Sequence, residues 1–161
     1  MRLFIAIRLS DDMKKALVTC MHDLKKQGVE GNYVPPQNLH MTLAFLGEYD
    51  DPAKVKEVIR KVPLPEFRLA LSEKGNFGNI LWAGVKGNQK LKTYVKDLRA
   101  ALAAEGIPFD KEKFVPHITL IRKVSAKNPY QVHLPKADMT VRKASLMRSE
   151  QKNGKMVYKE L

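Results

Sequence analysis

Cysteine is almost absent from this chain: Cys20 is the only one in 161 residues. A lone thiol excludes an internal disulfide framework and suits a reducing compartment. No apolar run approaches the length of a membrane span. The run nearest the start, LFIAI, is interrupted by Arg8, too soon for a signal peptide. A soluble, cytoplasmic protein is therefore expected. Acidic residues are the minority, 17 Asp and Glu against 29 Lys and Arg, for a net charge of +12. That excess bears on partners rather than fold. It contains no basic run long enough to be a disordered tail, which favours a folded surface that meets nucleic acid.

Punctuation along the chain is clear enough to place most elements. LFIAI at 3–7 reads as a short buried strand. Ser10-Asp11-Asp12 offers cap chemistry for a helix whose stripe is Met13, Ala16, Leu17, Cys20, Met21 and Leu24, stopped at Gly28. Within that stripe Cys20 is expected to be a buried structural thiol. LHMTLAFL at 39–46 is the next strand, and Asp51-Pro52 opens a short helix carrying Val55, Val58, Ile59 and Val62. Phe67, Leu69 and Leu71 alternate as a strand, Gly75 to Asn79 form a loop, and ILWAGV at 80–85 is another buried strand. Asn88 caps a helix bearing Leu91, Tyr94, Val95, Leu98 and Leu102, which ends at Gly106-Ile107-Pro108. HITLIR at 117–122 is a strand, and two more lie near 138–147 and 155–160, joined by the hairpin signal Asn153-Gly154.

The order repeats. His40 to His117 is 117 − 40 = 77 residues, and the same offset carries Thr42 onto Thr119, LFIAI onto ILWAG, and Asp51-Pro52 onto Asn128-Pro129. Each half reads strand, long helix, His-x-Thr strand, short helical segment, strand. The expected architecture is α+β: duplicated β-α-β units related by a pseudo-two-fold axis, with antiparallel sheets facing a central cleft. Residues 1–161 are expected to form one domain whose two lobes exchange strands.

Strand side chains alternate, so His40 and Thr42 share one face while Met41, Leu43 and Phe45 take the other; His117 and Thr119 face away from Ile118 and Leu120. If the two strands adjoin, two imidazoles and two hydroxyls converge. Opening a 2′,3′-cyclic phosphate needs a base to activate water and an acid to protonate the departing ribose oxygen, and two histidines supply both. The threonine hydroxyls can donate to the non-bridging oxygens. No metal or other cofactor is called for, and no Cys/His/Asp spacing offers a clear third zinc ligand. Spacing alone leaves acid and base interchangeable. His22 and His133 have no motif around them and carry no role.

The paired His-x-Thr-Leu tetrapeptides, with RLFIAI, PPQNLHMTLAFLGE, FGNILWAGV, FVPHITLIR and SEQKNGKMVY, resemble the two-histidine phosphoesterases, in particular the RNA 2′,3′-cyclic phosphodiesterases, also called 2′-5′ RNA ligases. The resemblance spans nearly the whole chain. It implies that His40 is the proton donor to the leaving ribose oxygen and His117 the proton acceptor that activates water. It implies that Thr42, Thr119 and Arg122 hold the phosphate, and that the product is a 2′-phosphate, with reverse 2′-5′ joining of RNA ends. Strict alternation points Arg122 away from His117, so that role requires a bulge or the strand's end to turn it. Tyr33 stands where the family commonly has tryptophan. Phe45 and Trp82 are aromatic enough to stack on bases but sit in apolar strands, where core packing is the ordinary outcome.

The implied partner is RNA with cyclic phosphate ends, tRNA fragments among the candidates, acted on by a monomer. Two rivals are a related enzyme acting on a small cyclic nucleotide or a 2′-5′ oligoadenylate, and a catalytically silent RNA-binding domain. The charge of +12 favours RNA over the first. Two titratable groups, which binding alone does not require, argue against the second.

Overall fold

The helices begin where the sequence caps them. In the computed structural model, which describes residues 1–161, Ser10 accepts from Met13 N to start α1 (Asp11–Lys26). Asp51 accepts from Lys54 N to start α2 (Pro52–Lys61), and Asn88 from Leu91 N to start α3 (Gln89–Ala104). Their stripes are buried as expected: Met13, Leu17, Cys20, Met21 and Leu24 in α1, and Leu91, Tyr94, Val95, Leu98 and Leu102 in α3. Each large apolar side chain so covered contributes about 2 kcal/mol relative to exposure. Burial, then the Asp23 carboxylate, pushes the Cys20 thiol up to about 11, so it is a packing group and not a nucleophile.

Nine strands form two antiparallel sheets. The first contains β1 (Arg2–Arg8), β3 (His40–Glu48), β8 (Ser145–Lys152) and β9 (Lys155–Glu160), in the order β3-β1-β8-β9. The second contains β2 (Glu30–Tyr33), β4 (Phe67–Phe77), β5 (Ile80–Val85), β6 (His117–Ser125) and β7 (Asp138–Val141), in the order β2-β6-β5-β4-β7. The architecture is α+β with two facing lobes, and strands cross between them. β4, from the first half of the chain, completes the second sheet, while β8, from the second half, completes the first. One continuous core of 34 buried residues runs through both sheets and all three helices.

The repeat departs from a uniform 77-residue offset. Thr42 pairs with Ala6 and Thr119 with Trp82, so β1 maps onto β5 with an offset of 82 − 6 = 76. The one-residue slip matters because it sends Ile5 onto core Leu81 rather than onto Trp82. Asn128-Pro129 does not open a helix; residues 126–137 contain none. Pro135 would fall inside such a helix, and Gln27 pins the segment instead, donating from Nε2 to Gln131 O and accepting from Gln131 N. The strand expected over 138–147 is two, β7 and β8, which belong to different sheets. Gly75 lies inside β4 rather than in a loop, and β2 carries no apolar pattern that would announce it. The hairpin at Asn153-Gly154 forms as expected, with φ of 53° and 75°.

Glu160 ties the last strand to the first. Its carboxylate accepts from Lys143 Nζ at 3.0 Å and Arg8 Nη1 at 2.8 Å, and these bonds, Lys143 foremost, lower it to about 2. A carboxyl held below its ordinary value stabilises the fold fully above pH 4.5 and loses that contribution as pH falls from 4.5 toward 2. Glu160→Gln is therefore expected to be less stable than wild type in urea at pH 7, with the gap closing across that acidic window. A gap independent of pH would refute the assignment.

Candidate active site

β3 and β6, one from each sheet, lie against each other and bring both tetrapeptides to the same cleft. His40 and His117 are held alike. His40 Nδ1 lies 2.7 Å from Asn38 O, and His117 Nδ1 lies 2.7 Å from Val115 O. A carbonyl can only accept, so each Nδ1 carries the hydrogen and each Nε2 is left for exchange. His40 Nε2 also sits 3.0 Å from Thr42 Oγ1. Met41, Leu43, Ile118 and Leu120 are fully buried on the opposite face and anchor the two strands.

Each ring has aromatic neighbours from distant strands. His40 lies 5.0 Å from Phe4 and 5.1 Å, edge-on, from Tyr158. His117 lies 5.0 Å, edge-on, from Phe77 and 5.7 Å from Trp82. Burial holds His40 below its ordinary histidine value; the bond to Asn38 O opposes this, and the positive charges of Arg122 and His117 add to the lowering. Arg122 and His117 thus lie within electrostatic reach of the His40 ring.

Arg122 reaches that position through a bulge. The consecutive residues Leu81 and Trp82 of β5 pair with Ile121 and Thr119, leaving Leu120 as an extra residue in β6. Leu120 and Ile121 are both buried, and alternation resumes one step late, returning Arg122 to the face of His117 and Thr119. β3 has the same bulge: Ile5 and Ala6 pair with Ala44 and Thr42, leaving Leu43 extra. The expectation that Phe45 faces the core with Met41 is therefore corrected; it shares the face of His40 and Thr42 and is 37% exposed. The carbonyls of both extra residues are satisfied. Leu120 O accepts from Val34 N at 2.9 Å, and Leu43 O accepts from Arg99 Nε and Nη2 at 3.2 and 3.0 Å.

Trp82, like Phe45, lies on the cleft side. It sits across from Gly75, where a Cβ would come within 2.2 Å of its ring, so a glycine is required there. Tyr33 is not in the cleft: it pairs with Ile121 and its hydroxyl donates to Val29 O at 2.6 Å. His22 and His133 are exposed. Sequence reasoning missed Asn38, Phe4, Tyr158 and Phe77. Only Asn38 left a local signal, its position two residues before His40, which Val115 repeats before His117. No three His, Cys, Asp or Glu side chains gather as a metal-ligating group, and no helix is long and apolar enough to cross a membrane.

The profile of the family described as "2'-5' RNA ligase superfamily" matches residues 12–153. The chain is 36% identical over 132 residues to the RNA 2′,3′-cyclic phosphodiesterase of Thermotoga maritima, covering 76% of this chain and 70% of that one. It is 32% identical over 137 residues to the protein of the same name from Archaeoglobus fulgidus, covering 80% and 76%. In structure it is similar to Escherichia coli LigT complexed with 3′-AMP, with a TM-score of 0.86 and 28% identity over 99% of this chain and 94% of that one.

Proposed function

The chain belongs to the 2′-5′ RNA ligase superfamily, and from that premise we propose that it opens RNA-terminal 2′,3′-cyclic phosphates to 2′-phosphates using His40 and His117. The observation that carries this reading is the matched pair of imidazoles, each with Nδ1 committed to a carbonyl at 2.7 Å, which leaves His117 Nε2 without a protein partner and His40 Nε2 beside the Thr42 hydroxyl at 3.0 Å. Neutral His117 takes a proton from water through Nε2 as the oxygen attacks phosphorus. Protonated His40 gives its Nε2 proton to the departing O3′, leaving the phosphate on O2′. The order of roles rests on the family likeness, since the two Nδ1 bonds are alike and do not tell acid from base.

Thr42, Thr119 and Arg122 supply hydroxyls and positive charge on the same face as the histidines, where charge builds on the non-bridging oxygens. The lowered His40 is consistent with a donor because a bound phosphate anion offsets Arg122 and favours the imidazolium. A 5′-hydroxyl can replace water, which gives 2′-5′ joining by the same two proton transfers. Residues 1–161 act together as one phosphoesterase domain. The charge of +12 supports RNA rather than a lone nucleotide as the partner.

The test is an oligoribonucleotide ending in a 2′,3′-cyclic phosphate, incubated with and without excess EDTA. Equal turnover in both is expected, with the 2′-phosphate as product. Loss of activity with chelator would remove the two-histidine mechanism, and a 3′-phosphate product would reverse the choice of leaving oxygen.

A further inference from the structure

Resting on the reading that His117 serves the nucleophile, the geometry points to a second nucleoside subsite at Phe77, which seats the base of an RNA bearing a 5′-hydroxyl. Phe77 ends β4 and is 43% exposed, the most exposed of the large apolar side chains. One side of its ring is supported: it lies 5.1 Å from Trp82 and 5.0 Å from His117, which it meets at 82°. Trp82 is itself fixed over Gly75 and Gly84. The aromatic pair around His40 differs, because Phe4 is only 4% exposed and packs with Ala6, Met147 and Tyr158. Tyr158 beside His40 is partly buried, so the most exposed of the aromatic rings that neighbour either histidine stands beside the base.

Attack by water needs no such ring. A nucleoside arriving with its 5′-oxygen at His117 would find a stacking surface there, and stacking accepts any base. In the step this subsite serves, the 5′-oxygen forms a bond to phosphorus and the P–O3′ bond breaks. The 5′-hydroxyl proton passes to His117 Nε2, and O3′ receives the proton from His40 Nε2. The product is a 2′-5′ diester, and no co-reactant is consumed.

The experiment reads a partition within one reaction mixture. RNA ending in a 2′,3′-cyclic phosphate is mixed with excess 5′-hydroxyl dinucleotide, and the ratio of 2′-5′-joined to hydrolysed product is measured. Phe77→Ala is expected to lower that ratio about tenfold, and Phe77→Trp to restore it. An abasic 5′-hydroxyl acceptor should give wild type the low ratio, with no further fall in Phe77→Ala. If Phe77 merely supports His117, joining and hydrolysis fall together and the ratio stays fixed, which overturns the subsite. A wild type that hydrolyses but never joins overturns it too, leaving the phosphodiesterase reading intact. A wild type without any turnover removes both.

Discussion

Replacing either His40 or His117 by alanine is expected to lower turnover of a cyclic phosphate RNA end by about two to four orders of magnitude. The double variant should lose little more than either single one, because acid and base act in the same step and the loss is not additive. Binding of the RNA should change far less, since Thr42, Thr119, Arg122 and the basic surface remain. The two substitutions differ in their structural cost. His40 packs against Phe4 and Tyr158, in a satellite cluster that also holds Ala6 and Met147, so its removal should lower the melting temperature. His117 borders the exposed Phe77, and its removal should cost less stability. Comparing kcat with the melting temperature of each variant separates lost chemistry from lost folding. Retained turnover in both variants would refute the site.

The tetrapeptides were legible because a strand has a period of two, and because their apolar partners Met41, Leu43, Ile118 and Leu120 could only face a core. The helices were legible for a similarly local reason: Ser10, Asp51 and Asn88 each bond to a backbone N–H three residues on. What escaped was set by contacts between distant segments. The bulges at Leu43 and Leu120 follow from pairing with β1 and β5, and nothing in LHMTLAFL or HITLIR marks the extra residue. The first bulge turns Phe45 to the face opposite the one that strict alternation predicts, and the second supplies the turn that Arg122 requires. β7 and β8 read as one strand because the break between them depends on two different sheets offering partners. Phe4 and Tyr158 reach His40 from opposite ends of the chain, a convergence that no local spacing records.

Arg122→Met is expected to lower kcat/KM by about a hundredfold or more, the range seen when one preorganised partner of a developing oxyanion is removed. The variant should also leave a signature that a merely structural arginine would not. Arg122 contributes positive charge beside His40 and helps to hold that imidazolium below its ordinary value. A positive neighbour disfavours the protonated ring, so removing it must raise the His40 value. The limb of the kcat/KM profile that belongs to His40 should therefore move to higher pH, although the apparent values describe the coupled pair and not either ring alone. Arg122→Lys separates the two contributions. Lysine keeps the charge, so the limb should stay near its wild-type position, but it lacks the planar fork that matches a phosphate, so much of the rate loss should remain. If Arg122→Met loses rate with the limb unmoved, Arg122 acts at a distance from His40 and the bulge in β6 serves only the fold.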